Sequence, residues 1–213
     1  MDYSAEAVSL HIDTPPIEPF KHGGGGWHLQ GPEHESHAWF DGAFNDAELD
    51  AIIRIGESLY TDQAKVAGEV VNHKVRDSET SWLFPNEMTG WIFDRVASAI
   101  MRTNADWFRF ELVGLMQGLQ FTKYIAPGQH YDWHQDRGPN CGIRKLSMSL
   151  QLSDPADYEG GDLQFKFGKG KETFQRKRGM MAIFPSWTLH RVTPVTSGVR
   201  HSLVAWISGP PFK

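Results

Sequence analysis

The chain has 213 residues, which is enough for one substantial domain with a buried core. Its formal net charge is −5 and it contains no long run of Lys or Arg, so binding to nucleic acid through bulk charge is not expected. No apolar stretch reaches the length of a membrane span and no secretory signal is evident, so no membrane association is predicted. The single cysteine excludes an intramolecular disulfide and is typical of a reducing compartment, so we expect a cytoplasmic location.

The first 38 residues are rich in Gly, Pro and His. A histidine tract can bind metal, but the irregular spacing of these histidines and the Gly and Pro content favour a flexible N-terminal arm. Residues 1–38 are therefore predicted to be an arm that precedes a single domain at 39–213.

Two amphipathic helices are predicted in a helical lead-in at residues 39–106. Asn45 and Glu48 have the spacing of a capping box, and apolar residues follow them at helical spacing. A second helix is predicted at about 87–103, where apolar residues again share one face. The segment 64–84 between the two helices is predicted to be extended or looped.

From residue 107 onward the apolar residues recur at every second position, which predicts strands. Turn-forming residues separate these segments. The alternation begins at Phe108, Phe110 and Leu112, and further strands are predicted at 118–125, 130–136, 144–152, 162–167, 172–176, 180–184, 188–195 and 200–207. We therefore predict an α+β fold in which a double-stranded β-helix, or jelly roll, at 107–209 carries the helices on one sheet.

The stretch HYDWHQD at 130–136 contains two overlapping His-x-Asp pairs. Read with period two, it places His130, Asp132, His134 and Asp136 on one strand face. Such a face could simply point to solvent. It could also supply two metal ligands, and a complete site would then need a third ligand from elsewhere.

A third ligand could come from His190, which follows the segment FPSWTL. Alone, a histidine on a β-branched strand is more simply read as a hydrogen-bonded core residue. Arg200 changes this interpretation, because it falls on the next predicted strand and a buried arginine needs an anionic partner. Two histidines, one carboxylate and an arginine form a coherent set, in which a facial metal triad lies beside a site for a dicarboxylic co-substrate.

Three long segments carry a family resemblance: LQFTKYIAPGQHYDWHQD, RKLSMSLQLSDPADYEGGDLQF and FPSWTLHRVTPVTSGVRHSLVAWI. Together with WFDGAFNDAELDAII and RDSETSWL upstream, they resemble the 2-oxoglutarate- and Fe(II)-dependent dioxygenases of the prolyl 4-hydroxylase type, including the PKHD-type hydroxylases. The resemblance implies that His134, Asp136 and His190 are the catalytic iron ligands.

The resemblance also implies the residues that bind the co-substrate. Arg200 would bind the distal carboxylate of 2-oxoglutarate, Tyr124 would form a hydrogen bond to it, and Trp206 would wall its pocket. In the family an aromatic residue precedes the ligand histidine by three positions, and Tyr131 meets this pattern for His134 but not for His130.

Three further residues keep open roles. His130 and Asp132 could line the cavity mouth, form hydrogen bonds to the ligands, or be exposed and inert. Some members of the family have a tyrosine where Gln151 falls, so its role is not defined by the resemblance.

The implied protein is an enzyme that couples oxidative decarboxylation of 2-oxoglutarate to C–H hydroxylation of a prolyl residue in a peptide or protein. Its cofactors would be Fe(II), 2-oxoglutarate and O2, with ascorbate as a candidate reductant. The alternatives are a dioxygenase that acts on a free small molecule, a non-catalytic jelly-roll protein that binds a metal or ligand, and a zinc hydrolase, although a zinc hydrolase has no use for Arg200.

Overall fold

A computed structural model describes residues 36–59, 62–63, 72–138 and 141–211. The predicted arm at 1–38 therefore lies almost entirely outside the described residues. These residues contain two α-helices, α1 at Asp46–Ser58 and α2 at Gly90–Thr103, and a π-helical turn at Asn104–Phe108 continues α2. No helix of the described segments combines the length and the apolar character that crossing a bilayer requires.

The described residues also form fourteen strands, which are numbered here in chain order. They are β1 Ala38–Phe40, β2 Asp62–Gln63, β3 Arg76–Asp77, β4 Glu79–Leu83, β5 Gly114–Leu115, β6 Leu119–Ile125, β7 His130–His134, β8 Arg144–Gln151, β9 Tyr158–Gly160, β10 Leu163–Phe167, β11 Gly170–Thr173, β12 Met181–Pro185, β13 Leu189–Val192 and β14 Val195–Ser208. A 3-10 turn at Pro155–Asp157 precedes β9.

The strands form two antiparallel sheets that enclose a cavity between them. The large sheet has the order β1-β12-β8-β14-β6-β4-β2, with β5 and β9 also paired to β14. The small sheet has the order β11-β10-β13-β7-β3. This arrangement confirms the predicted α+β jelly roll.

The two faces of the large sheet differ in chemistry because side chains alternate along each strand. The outer face packs against α1 and α2 in an apolar core. That core contains Leu49, Ile52, Ile92, Val96 and Ile100 from the helices and Leu119, Phe121, Leu146, Met148, Leu150, Met181, Ile183, Leu203, Ala205 and Ile207 from the sheet. The inner face instead buries polar side chains, among them Gln120, Thr122, Ser147, Gln151, Arg200 and Ser202.

Helix α1 begins as the sequence predicts. The Asn45 side chain accepts a hydrogen bond from the Glu48 backbone N–H, and the Glu48 carboxylate accepts one from the Asn45 N–H. Near its end, α1 approaches the sheet at Gly56, where a methyl group would lie 2.4 Å from the ring of Phe121. Gly56 thus sets the close contact between α1 and β6.

The prediction of a strand at Phe108, Phe110 and Leu112 is wrong. Asn104 explains the difference, since its side chain accepts a hydrogen bond from the Phe110 N–H and donates one to the Phe110 carbonyl. These bonds fold the segment back on the helix end, and Arg109 takes a left-handed conformation with φ of 54°. The first strand of the β region is therefore Gly114–Leu115.

Helix α2 also begins later than predicted, at Gly90 rather than about residue 87. The side chain of Asn86 accepts hydrogen bonds from the backbone N–H groups of Met88 and Thr89, which is an Asx turn that holds this segment outside the helix. The other predicted strands occur within a few residues of their predicted bounds.

Candidate metal centre

Three potential metal ligands converge in the cavity. His134 ends β7 and Asp136 follows it by two residues, while His190 lies on β13 directly opposite His134. The Nε2 atom of His134 lies 3.7 Å from Asp136 Oδ1, and Nε2 of His190 lies 3.5 Å from Asp136 Oδ2. One ligand atom from each of the three residues falls within 4.8 Å of the others. The residues that the sequence predicts as ligands are therefore brought together.

Backbone carbonyls orient both imidazoles. Nδ1 of His134 lies 2.7 Å from the Asp132 carbonyl oxygen, and Nδ1 of His190 lies 2.8 Å from the Thr188 carbonyl oxygen. Because a carbonyl oxygen can only accept, each Nδ1 carries the proton and each Nε2 keeps its lone pair for a metal.

The charge state of the cluster suits a divalent cation. Burial, with the adjacent His190, lowers the pKa of His134 to about 3, so its imidazole is neutral at physiological pH. Burial alone would raise the pKa of Asp136, but His190, His134 and a hydrogen bond from Ser147 hold it below its usual value. Two neutral imidazoles and one carboxylate are the donor set of a facial triad.

A bulge in β7 determines which side chains face the triad. The β7–β13 pairing shifts from His134 opposite His190 to Tyr131 opposite Val192, so β7 holds one extra residue. Tyr131 and His134 consequently both line the cavity, and their rings stack with centroids 3.4 Å apart.

The bulge also corrects the expected common face of the two His-x-Asp pairs. His130 does not line the triad cavity, and its Nδ1 lies 2.9 Å from the Gly128 carbonyl oxygen. The side chain of Asp132 is exposed, and only its backbone carbonyl contacts a ligand residue. The Asp132 side chain is thus exposed, as one of the considered roles has it, and its backbone carbonyl also orients His134.

The cavity that contains the triad is lined by residues of both sheets. Tyr124 and Trp206, which the sequence predicts as co-substrate residues, both line it. Arg76 of β3 lies at its edge, where its guanidinium stands 4.5 Å from the Tyr131 ring centre and donates to Gln120 Oε1 at 2.8 Å.

Arg200 is 2% exposed and lies on β14 opposite Tyr124, whose ring centre is 5.4 Å from the guanidinium. Its Nη1 lies 3.4 Å from Ser202 Oγ, and its buried Nε has no hydrogen-bond partner among the described residues. In the same described part of the chain, no carboxylate forms an ion pair with it. A buried guanidinium in this state fits an anionic ligand.

Arg200 lines a second cavity, which shares Ser149 and Leu163 with the triad cavity. Gln151 also lines this second cavity, and its Nε2 donates to the Ser153 carbonyl at 3.2 Å and to the Tyr158 hydroxyl at 2.9 Å. The two cavities are therefore neighbours, and Arg200 lies in the one next to the triad.

The mouth of the triad cavity is aromatic and cationic. Trp206 lies beneath the Arg144 guanidinium, 4.0 Å from ring centre to Cζ, and its ring centre is 6.0 Å from that of Trp82. Arg144 also donates to the Asp136 carbonyl at 3.1 Å and to Gln117 Oε1 at 2.6 Å. The sequence does not identify Arg144 as a site residue, because nothing in its local pattern separates it from a solvated strand residue.

Residues 119–208 match the family model described as the 2OG-Fe(II) oxygenase superfamily. A PKHD-type hydroxylase of Sphingopyxis alaskensis is 37% identical over 112 residues, which cover 50% of this chain and 51% of that protein. A PKHD-type hydroxylase of Synechococcus sp. strain CC9902 is 43% identical over 81 residues, 38% of this chain and 36% of the relative. The chain thus spans about half the length, or less, of these relatives.

Solved structures share the fold at low sequence identity. A prolyl hydroxylase from Trichoplax adhaerens, in complex with a peptide of the oxygen degradation domain of hypoxia inducible factor, has a TM-score of 0.70 at 17% identity and covers 81% of this chain and 83% of its own. A Pseudomonas putida prolyl-4-hydroxylase has a TM-score of 0.65 at 19% identity, covering 82% of this chain and 93% of its own.

Proposed function

We propose that the chain is a 2-oxoglutarate- and Fe(II)-dependent hydroxylase of the 2OG-Fe(II) oxygenase superfamily, whose family model matches residues 119–208, and that it acts on a prolyl residue in a peptide or protein. The observation that carries the proposal is the convergence of His134, Asp136 and His190, with both histidine Nε2 atoms aimed at one point. When bound, iron and 2-oxoglutarate would supply the oxidising chemistry, in which O2 is consumed and 2-oxoglutarate becomes succinate and CO2.

The side chains of this chain would bind the iron and the co-substrate, orient them and exclude water from the site. His134, Asp136 and His190 would hold one face of the iron and leave the opposite positions to the co-substrate and O2. Arg200 would pair with the distal carboxylate of 2-oxoglutarate, because it is a buried cation without a described anionic partner. Tyr124, next to Arg200 on the paired strand, would complete this end of the site.

The prolyl substrate is supported by the chemistry of the cavity mouth. Trp82 is 40% exposed and borders the buried Trp206, so the indole of Trp82 is available to an apolar ring. Phe84, also exposed, extends this apolar surface along the chain from Trp82. A proline-containing segment is already extended and carries no N–H at the ring nitrogen, which suits an aromatic cleft.

Two alternative functions account for fewer features. A zinc hydrolase could use the same three ligands, but it has no use for the buried Arg200. A non-catalytic protein that binds a ligand without a metal would not require both imidazoles to be held with free Nε2 atoms. A dioxygenase for a free small molecule remains the second candidate, which the experiment below separates from the first.

The test is anaerobic loading of the purified protein with Fe(II), followed by 2-oxoglutarate, ascorbate, air and libraries of proline-containing peptides. We expect succinate to form and a peptide product to be heavier by one oxygen atom, mapped to proline by mass spectrometry. The Asp136→Asn variant should be inactive, and His130→Ala should be active because His130 lies outside the cavity. Oxidation of a free small molecule with no peptide product would contradict the prolyl substrate and keep the dioxygenase.

We also propose that residues 39–213 form a single domain with a helical lead-in and a β-helix core, that the protein is cytoplasmic, and that it uses ascorbate.

A further inference from the structure

The second cavity, which Arg200 lines, contains a tyrosine that the family resemblance does not assign. Tyr158 begins β9 and is buried, and it lines this cavity together with Gln151 and Arg200. Tyr158 therefore borders the same cavity as the guanidinium that lacks a described anionic partner.

Gln151 defines what the Tyr158 hydroxyl can do. The Nε2 group of Gln151 donates both to the Ser153 carbonyl and to the Tyr158 oxygen. The carbonyl can only accept, which fixes the orientation of the amide and makes the Tyr158 oxygen an acceptor in this contact. The hydroxyl hydrogen of Tyr158 is then left to donate elsewhere, and no described residue is recorded as its acceptor.

Gly161 keeps Tyr158 and Arg200 close to each other. A methyl group at this position would lie 2.9 Å from Cδ of Arg200 and 3.3 Å from Cε2 of Tyr158. Gly161 also has φ of +63°, a conformation that glycine adopts at little cost. Gly161, directly after β9, thus permits both donors to border one cavity.

We infer that the Tyr158 hydroxyl, oriented by Gln151, is a second donor to the distal carboxylate of the co-substrate beside Arg200. The inference rests on the proposed function. Arg200 supplies the charge, and Tyr158 supplies a directed hydrogen bond that distinguishes a 2-oxo acid with a distal carboxylate from one without it. Gln151 is a positioning residue, since it acts through Tyr158.

The test is calorimetric binding to protein loaded with Mn(II) in the absence of O2. The probes are 2-oxoglutarate and 2-oxobutanoate, which has the same 2-oxo acid group and no distal carboxylate. Tyr158→Phe should weaken binding of 2-oxoglutarate by roughly ten- to hundredfold, the range for a hydrogen bond to a charged group. The affinity of the Tyr158→Phe variant for 2-oxobutanoate and for Mn(II) should equal that of the wild type.

Gln151→Glu and Gln151→Leu give a second, independent comparison. A glutamate would accept the Tyr158 proton and turn it away from the cavity, so this variant should lose more 2-oxoglutarate affinity than Gln151→Leu. In the Tyr158→Phe background the difference between them should shrink, because the hydroxyl through which Gln151 acts is gone.

The outcomes separate this inference from the proposed function. If the wild type binds Mn(II) but not 2-oxoglutarate, the proposed function fails. If the wild type binds 2-oxoglutarate and Tyr158→Phe binds it equally well, only the role of Tyr158 is overturned. A parallel loss of 2-oxobutanoate binding would also overturn it, since the effect would then be a general change of the site.

Discussion

Each histidine of the triad is held by one backbone carbonyl, so its capacity to bind metal depends on local chain geometry as much as on residue type. The carbonyls of Asp132 and Thr188 hold the protons of His134 and His190 on Nδ1. A variant that removes one imidazole leaves two protein ligands, which hold a labile divalent cation poorly.

We predict that His134→Ala or His190→Ala weakens binding of Fe(II) or Mn(II) by more than about a hundredfold, beyond the usual cost of losing an outer hydrogen bond. Anaerobic calorimetry measures this. His130→Ala is the matched control, because it removes the same side chain from the same strand outside the cavity. Loss of metal in the His130 variant with retention in the His134 variant would show that the ligand assignment is wrong by four residues.

A second residue-scale prediction concerns Arg200. Arg200→Ala should raise the concentration of 2-oxoglutarate needed for half-saturation by about 30-fold to several thousand-fold, the effect of losing a buried charge-assisted pair. Metal affinity should not change. Arg54→Ala, which removes an exposed arginine of α1, is the control for a general loss of positive charge. Unchanged co-substrate dependence in Arg200→Ala would remove the strongest argument against the zinc hydrolase.

At this scale the sequence predicted the residues whose chemistry is unusual for their position. His134, Asp136, His190 and Arg200 were identifiable because a metal site and a buried cation both demand particular residue types. Tyr158 was not, since a tyrosine next to Gly160 and Gly161 looks like an ordinary turn until folding places it beside Arg200.

At the scale of elements, the contact between α1 and the large sheet depends on Gly56. A methyl group here would overlap the ring of Phe121, and the Gly56 carbonyl accepts a hydrogen bond from Ser81 of β4. The helix therefore lies close to two neighbouring strands, β4 and β6, at a position without a side chain.

We predict that Gly56→Ala lowers the free energy of unfolding by about 1–3 kcal/mol, because overpacking outweighs the better helix propensity of alanine. Denaturant unfolding measures it, and Phe121→Leu in the same chain should restore part of the loss. Gly90→Ala is the control: it begins α2 with nothing within 4 Å of an added methyl group, so it should be neutral or slightly stabilising. Equal losses in both glycine variants would contradict the packing argument.

Local patterns predicted most elements, and the exceptions have physical causes. The capping box at Asn45 is visible in sequence because both partners lie within one turn. The false strand at Phe108 and Phe110 arose because an aromatic alternation also fits a loop held by the Asn104 side chain. The bulge in β7 was equally hidden, since a register shift depends on the partner strand β13.

At the scale of the whole molecule, the jelly roll encloses polar side chains that an ordinary β-sandwich would replace with apolar ones. The sequence predicted this fold class because its hydrophobic period changes from helical to alternating along the chain. It did not predict that the enclosed face would bury several polar side chains, because the same alternation occurs when the polar face meets solvent.

We predict that metal and co-substrate stabilise the folded protein together. At a free ligand concentration of 100 times its Kd, a ligand that binds only the folded state adds about 2.7 kcal/mol. Thermal unfolding with Mn(II), 2-oxoglutarate, both or neither measures this, and the pair should raise Tm more than the sum of the separate shifts. His134→Ala should abolish the metal-dependent part, whereas a shift of the same size in that variant would mean that the ions act elsewhere.

Strand β14 carries Arg200 deep in the sheet and Trp206 at the cavity mouth, on the same face and about 20 Å apart along the strand. Changes separated by more than about 10 Å usually contribute additively. One continuous strand is therefore open to independent redesign at its two ends, with Arg200 setting the contact to the distal carboxylate and Trp206 the wall of the pocket. A library that varies both positions can be searched one end at a time and the best variants then combined.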